Sequence, residues 1–227
     1  MKAIGMLLLV FLIHPVLCGA DTIFNDYGPG MTFGSGASCV SGPSTPNCGP
    51  LNVRWVASPF TPNGNFVLTQ IDLAVQAFSG TNGAIVQLVN DQSGLPGTTV
   101  LESWVSNSLP AYPSGNLALI STGTALHSGT QYWIIAKPFA DDTLYVWRPE
   151  PTGLAGLLTR TCFGPPNNDP SNNNGCIGSS PTWTPSALEA FDVLGTPVAT
   201  SELSSLPLLG IGLLGVAGAA RRKWLRQ

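Results

Sequence analysis

Few residues of this chain are of types that do chemistry. The sequence holds two histidines, His14 and His127, and His14 lies within an apolar N-terminal run. His127, which precedes a Ser-Gly turn, is then the one candidate for a general base. A Ser-His-Asp triad also needs a serine on a sharp turn, and no Gly-x-Ser-x-Gly elbow occurs. These observations predict that His127 is a surface residue and that the protein is not an enzyme.

Carboxylates offer two other kinds of site. Glycosidases use two carboxylates about 5–10 Å apart, and Glu102, Glu150, Glu189 and several aspartates are available. Residues 141–142 (Asp-Asp) or 167–169 (Asn-Asn-Asp) offer oxygen ligands for calcium. The loop pattern D-x-[DN]-x-[DN]-G is absent, and Asn-Asp segments commonly form simple turns. We therefore expect solvated strand and turn positions here, with no catalytic residue, metal or cofactor; a secreted hydrolase is the alternative.

The cysteines beyond residue 20 fall into two close pairs. Cys39 and Cys48 lie in one loop rich in Gly, Pro and Ser, and Cys162 and Cys176 lie in another that is rich in Asn. In an oxidising, exported compartment this grouping predicts two local disulfides, one within each pair. Four cysteines allow three pairings. Zinc is the alternative, but the spacings are wider than the C-x₂₋₄-C of zinc sites.

Tryptophan is frequent in the middle of the chain. Aromatic faces stack on sugar rings when exposed and otherwise fill a core, so a carbohydrate-binding module is a second functional hypothesis. Tyr132 and Trp133 are adjacent in a predicted strand, so their rings face opposite sides of the sheet. One of these two rings is therefore a candidate for solvent exposure. The five tryptophans within residues 21–200 are Trp55, Trp104, Trp133, Trp147 and Trp183.

The C-terminal segment combines an apolar run with a basic end. Residues 206–220 carry no charge, and Arg221, Arg222 and Lys223 follow at once. An apolar run stopped by basic residues is typical of a segment held in a bilayer with its basic end in the cytoplasm. Fifteen helical residues span roughly 22 Å, less than the hydrocarbon core of about 30 Å. A buried C-terminal core helix is the alternative.

This C-terminal segment resembles the PEP-CTERM sorting signals of exported bacterial proteins. Those signals have a Pro-Glu-Pro motif, a Leu/Gly-rich apolar helix and a terminal Arg-rich cluster. The chain reads Ser201-Glu202-Leu203 at the first position, which keeps the glutamate and lacks both prolines. The resemblance implies recognition by a membrane-embedded exosortase. The matching residues are Glu202, Leu208, Leu209, Gly210, Gly212, Leu213, Leu214, Gly215, Arg221, Arg222 and Lys223.

The N-terminal segment 1–20 has the pattern of a signal peptide. Lys2 is followed by an apolar run over residues 4–17, and Cys18-Gly19-Ala20 offers small residues for signal peptidase before Asp21. An uncleaved membrane helix is the alternative. The pattern predicts export through the inner membrane by the secretion machinery.

Residues 21–200 form the predicted exported domain, and residues 201–227 the sorting segment. About 180 residues suit a single domain. This part holds eleven acidic residues against four basic ones, Arg54, Lys137, Arg148 and Arg160, for a net charge of −7. Such a surface repels phosphate backbones, so we expect no nucleic-acid partner.

Hydrophobic alternation predicts an all-β domain, an antiparallel sandwich or jelly roll. Residues 21–50 are expected to be loop-like, with Phe24, Tyr27 and Phe33 anchored on a core. In the longest predicted strand, Ile71, Leu73, Val75 and Ala77 point inward and Gln70, Asp72 and Gln76 outward. Strands are predicted at 54–57, 66–78, 84–90, 99–105, 116–121, 131–137, 144–148 and 188–194.

Three segments give a second resemblance: PFTPNGNFVLTQIDL (59–73), SGLPGTTVLESW (93–104) and LHSGTQYW (126–133). Together they are similar to the choice-of-anchor domains, type R, of exported bacterial proteins. Those domains accompany various C-terminal anchoring signals and carry no established catalytic residues. The resemblances imply a non-catalytic protein of the cell envelope or of the exopolysaccharide matrix.

Overall fold

The structure is a computed structural model that describes residues 19–45, 53–111, 115–151, 159–164, 183–186 and 188–198. For 159–164, and at positions 184 and 186, it describes the backbone alone. The chain divides into two compact units, residues 1–197 and 198–227, and the strands lie in the first. The predicted signal peptide and the predicted C-terminal helix lie outside the described residues.

The described part of the chain is all-β, as predicted, and every pairing within it is antiparallel. Among these residues no helix has the length and hydrophobicity needed to cross a membrane. In chain order the strands are β1 (Asp21–Asn25), β2 (Ser38–Ser41), β3 (Val53–Phe60), β4 (Phe66–Ser79), β5 (Ala84–Gln92), β6 (Leu95–Ser106), β7 (Asn116–Ile120), β8 (Ala125–Leu126), β9 (Tyr132–Pro138), β10 (Leu144–Trp147), β11 (Thr159–Gly164), β12 (Trp183–Ser186) and β13 (Phe191–Pro197).

Strand β4, with 14 residues, is the element that the other strands are arranged around. The strand order is β1-β13-β4-β10-β2-β3-β9-β5-β6. β7 and β8 also pair with β4, β11 pairs with β3, and β12 pairs with β11. The first part of β4 pairs with β13, and its last part pairs with β10. One long strand therefore joins the β1–β13 pair to the part of the sheet that runs from β10 to β6.

The main core is a cluster of buried apolar side chains that comes from distant strands. Ile71 of β4 and Val193 of β13 belong to it, and so do Leu88 of β5 and Ile134 of β9. Each of these residues is fully buried. The strands that contribute them stand near opposite ends of the strand order.

Aromatic rings join the same two regions of the sheet. The ring of Phe191 lies 4.7 Å from that of Phe24, 6.2 Å from Phe60 and 6.0 Å from Trp147, measured between centroids. Phe60 in turn lies 5.8 Å from Tyr132. Offset and edge-to-face pairs at these separations add about 0.5–1.5 kcal/mol each beyond the area that they bury.

The alternation predicted for β4 is confirmed on its inner side and wrong on its outer side. Ile71, Leu73 and Val75 are buried as expected, but Asp72 and Gln76 are buried too, at 4% and 2% exposure. Gln76 accepts hydrogen bonds from Arg148 Nε and Nη2, at 3.0 and 2.6 Å. Both faces of this strand are therefore covered, which alternation along the strand cannot reveal.

The N-terminal region is not the loop that the sequence suggested, because it contains β1 and β2. β1 pairs with β13, and β2 pairs with β10, so both strands depend on partners far along the chain. Strands β11 and β12 were likewise not predicted. Phe24, Tyr27 and Phe33 do pack against the main core, as predicted.

Candidate binding groove

A second hydrophobic cluster lies on the face of the sheet opposite the main core, which we call the outer face. It contains Trp55 from β3, Val89 from β5, and Trp133 and Ile135 from β9, and Trp183 packs against it. Tyr132 belongs to the main core, so the two adjacent rings do face opposite sides. The prediction that one of these two rings is exposed to solvent is wrong, because Tyr132 is 4% and Trp133 2% exposed.

Beside this cluster the outer face forms a groove of about 380 Å³. That volume is within the range of roughly 300–1,000 Å³ found for small-molecule sites. Gln87 and Ile135 lie along the sheet, and they are direct cross-strand neighbours in the β5–β9 pairing. Further lining comes from Trp55, Lys137 and Trp183 and, in the β5–β6 hairpin, from Gln92, Leu95 and Thr98.

The β5–β6 hairpin is held in place by Asp91. Its two-residue turn has φ of 57° at Ser93 and 77° at Gly94, as type I′ hairpin turns require. Asp91 Oδ2 accepts from Gly94 N at 3.0 Å. Asp91 Oδ1 accepts from Trp133 Nε1 at 2.7 Å and from Gln131 Nε2 at 2.9 Å. One carboxylate therefore ties the hairpin side of the groove to β9.

Lys137 brings a positive charge to the groove. It shares the outer face of β9 with Trp133 and Ile135 and is only 4% exposed. Its ammonium lies 4.1 Å from the centroid of a Trp55 ring and donates to Gln87 Oε1. Burial lowers the pKa of Lys137 to about 8. Among the described residues that line the groove, Lys137 alone is charged.

A second polar feature is a cluster of buried carboxylates, which we call the acidic cluster: Asp26, Glu150, Glu189 and Asp192. All four are less than 9% exposed, and Glu189 is completely buried. Asp26 Oδ1 accepts from Phe191 N at 2.6 Å. Within the described structure, Asp26 Oδ2, Asp192 Oδ1 and both oxygens of Glu189 have no hydrogen-bond partner. The acidic cluster is therefore enclosed and incompletely satisfied.

Burial raises the pKa of three of these carboxylates, Glu189, Asp26 and Asp192. It raises the pKa of Glu189 to about 8, although the Ser38 hydroxyl and the charge of the Arg54 guanidinium act in the opposite direction. Burial also raises the pKa of Asp26 to about 8, although the hydrogen bond from Phe191 N acts to lower it. Asp192, which is less deeply buried, has its pKa raised to about 6.

Glu102, a candidate for the glycosidase pair, lies apart from the acidic cluster and bonds to the β7–β8 connection. Its carboxylate accepts from Ser121 Oγ at 2.7 Å, Thr122 N at 2.6 Å and Thr124 Oγ1 at 2.6 Å. Burial raises the pKa of Glu102, but the bonds from Thr124, Thr122 and Ser121 together outweigh it, so the pKa is lowered. The two proposed partners, Glu102 and Glu150, thus have separate surroundings.

We expect Glu102→Gln to lower the free energy of unfolding by about 1–3 kcal/mol, because it weakens three hydrogen bonds to a charged acceptor. Urea unfolding followed by tryptophan fluorescence measures the change. Asp21→Asn, the same change of charge at an exposed position, is the matched control and should stay within about 0.5 kcal/mol. Equal midpoints for both variants would contradict the structural role given to Glu102.

The remaining predicted residues are only partly covered by the structure. His127 is exposed, as predicted, and its backbone N–H donates to Tyr132 Oη at 3.0 Å. Cys39 on β2 is disulfide-bonded; the side chains of Cys48, Cys162 and Cys176 lie outside the described residues, so the pairing stays a prediction. Residues 167–169 and every residue of the sorting segment also lie outside the described residues, so the predictions made for them stay predictions. Within the described residues, no three His, Cys, Asp or Glu side chains are grouped to hold a metal ion.

Neither a protein-family model nor a curated protein sequence matches this chain.

Proposed function

We propose that this chain is a non-catalytic exported protein of the cell envelope or extracellular matrix. The observation that carries the proposal is the sorting segment, in which an uncharged run at 206–220 precedes Arg221, Arg222 and Lys223. Its partners are the export machinery and the inner membrane, and by resemblance an exosortase that processes it. The charge balance of residues 21–200 argues against a nucleic-acid partner.

We propose further that the β domain is a sandwich in which the sheet folds over the main core. Support comes from the core itself, because Ile71 and Val193 pack in one cluster with Leu88 and Ile134 from the far end of the strand order. The contact of Phe24 on β1 with Phe60 on β3, at 6.2 Å, points the same way. In a sandwich, inner side chains of two sheet layers interdigitate in this manner.

A second candidate function is carbohydrate binding, and the groove is the observation that favours it. Trp55 and Trp183 contribute aromatic surface, and Gln87, Gln92 and Thr98 contribute neutral hydrogen-bonding groups. That combination suits sugar rings, which have both apolar C–H faces and hydroxyls. The ligand in this setting is exopolysaccharide. The third candidate, a secreted hydrolase, is weakened because Glu102 is engaged in hydrogen bonds and Glu150 is buried.

The sorting segment can be tested by replacing Arg221, Arg222 and Lys223 together with serine. We expect the protein to be lost severalfold from the inner-membrane fraction, because a fifteen-residue apolar run barely spans the bilayer and the basic cluster is what stops transfer. Cell fractionation with immunoblotting gives the measurement. Glu202→Gln is the control for insertion and should change only later processing. A triple variant retained as fully as the wild type would overturn the anchoring proposal.

A further inference from the structure

We propose that the groove binds a saccharide carrying a carboxylate, and that the ammonium of Lys137 pairs with this carboxylate. The inference rests on the carbohydrate-binding function proposed above and adds the class of sugar. It follows from three observations: a buried cation that has no acidic partner among the described residues, the neutral and aromatic lining around it, and the position of the groove on the face of the sheet.

The first observation is that Lys137 is buried beside neutral groups. Its two neighbours are the amide oxygen of Gln87 and the ring of Trp55. An ammonium has three N–H donors, of which Gln87 takes one while Trp55 covers another side. Burial alone lowers the pKa of Lys137, and no carboxylate of the described residues opposes that shift. A buried cation is costly unless it is paired, so an anion entering the groove would find an uncompensated partner.

Among the described residues no carboxylate lines the groove, although residues 21–200 hold eleven acidic side chains. Four of these, Asp26, Glu150, Glu189 and Asp192, gather in the acidic cluster instead. An anionic ligand can therefore supply the carboxylate partner that the described lining does not give to Lys137. An ion pair between Lys137 and a ligand carboxylate favours an anionic ligand over a neutral one, because a neutral ligand would leave the ammonium unpaired.

The lining favours a sugar over other anions. Trp183 is partly buried and offers an aromatic face, while Gln92 and Thr98 offer uncharged donors and acceptors at the hairpin side. A simple inorganic anion would use none of these groups. The volume of about 380 Å³ matches a ligand of one or a few sugar rings better than a whole chain.

The position of the groove argues against an acidic peptide as the ligand. Extended peptides gain affinity by adding a strand to a free sheet edge. The groove instead lies on the face of the sheet over β3, β9 and β5, and the edge strand β6 lines only its hairpin side. β9 is paired with both of its neighbours, so its backbone groups beneath the groove are already engaged within the sheet.

The test uses the full-length protein in detergent micelles and isothermal titration with three hexameric probes: galacturonate, its fully methyl-esterified form and glutamate. We expect the wild type to bind hexagalacturonate at least tenfold more tightly than the other two probes. Lys137→Gln should weaken binding of hexagalacturonate at least tenfold. Affinity should also fall as the pH rises past about 8, where Lys137 loses its proton.

Two further variants keep the test informative. Gln87→Glu supplies Lys137 with an internal carboxylate, so it should weaken hexagalacturonate binding at least tenfold even if Lys137→Gln folds poorly. Ser128→Asp lowers the net charge by one, as Lys137→Gln does, at an exposed turn outside the groove. That control should bind hexagalacturonate within about twofold of the wild type.

Each contrary outcome identifies what has failed. Equal binding of the methyl-esterified probe, or undiminished binding by Lys137→Gln, would overturn the carboxylate inference and leave carbohydrate binding standing. Equal binding of hexaglutamate would overturn the assignment to a saccharide. Binding of neither oligosaccharide by the wild type would overturn both the inference and the carbohydrate-binding function.

Discussion

Raising the pH from 5 to 8 should destabilise the β domain by several kcal/mol, because the acidic cluster has to ionise inside the folded protein. The pKa of Glu189 is about 8 when folded, far above the ordinary value of 4.5. Between these two values the folded state holds a proton that the unfolded chain has released. Stability is therefore greatest below pH 4.5 for this group and is lost as the pH rises toward 8, on the order of 3–4 kcal/mol.

Other groups near the acidic cluster modify this dependence without reversing it. Asp26, with a pKa of about 8, acts in the same direction, and Asp192, with a pKa of about 6, does so at lower pH. Arg54 favours the ionised form of Glu189 but is itself partly desolvated, so its own pKa is lowered. Lys137 acts in the opposite sense, but only above a pH of about 8, because its folded pKa is depressed to that value.

Glu189→Gln isolates the contribution of this one residue. The variant keeps the shape of the side chain and removes the charge, so we expect it to unfold at a higher temperature than the wild type at pH 8 and with a weaker pH dependence. Thermal unfolding between pH 5 and 8, followed by tryptophan fluorescence, measures both effects. Asp21→Asn, at an exposed position, is the control and should reproduce the wild-type curve. A Glu189→Gln variant with the wild-type pH dependence would contradict the buried, protonated carboxylate.

Asp91→Ala should destabilise the domain by about 3–5 kcal/mol, since a charged acceptor of three hydrogen bonds is lost and a buried indole N–H is left without a partner. Trp133 is only 2% exposed, so water cannot readily replace Asp91 Oδ1 at its Nε1. The same substitution releases Gly94 N at the turn of the hairpin. Urea unfolding of the variant measures the loss.

A double-mutant cycle with Trp133→Phe separates the indole bond from the rest of the effect. Once the indole donor is gone, removing Asp91 should cost about 1.5–3 kcal/mol less than it does in the wild type. Asp141→Ala, in an exposed turn, is the control and should stay within about 0.5 kcal/mol. Additive effects of the two substitutions would show that the Asp91–Trp133 bond does not stabilise the fold.

The strands that could be predicted from the sequence are those whose own residues determine their structure. β4, β5 and β9 are long, rich in Val, Ile and Leu, and bounded by Gly or Pro turns, so local patterns suffice to find them. β1 and β2 have five and four residues. Their stability comes from pairing with β13 and β10, and no local pattern reports such distant partners.

The groove and the acidic cluster were harder to predict, because the burial of a polar side chain depends on what packs over it. Asp26 and Glu189 have the sequence context of ordinary turn and strand positions, and only the fold reveals that they are enclosed. The position of Lys137, in contrast, could have been recognised from the sequence. It follows Trp133 and Ile135 at alternating positions of an otherwise apolar strand, so the sequence already places a cation on a hydrophobic face.

The position of β13 between β1 and β4 has a consequence for the order in which the sheet forms during synthesis and during the export proposed above. Among the described strands, β1 pairs with β13 alone. β1 is synthesised first and cannot pair until β13, the last of these strands, has been synthesised. Leu206, where the apolar run begins, follows Pro197 by only nine residues. Under the proposed export, the sheet can therefore close only when translocation of the chain is almost finished. A chain truncated before β13 would carry an unpaired β1 and an open edge on β4, which is the kind of intermediate that aggregates.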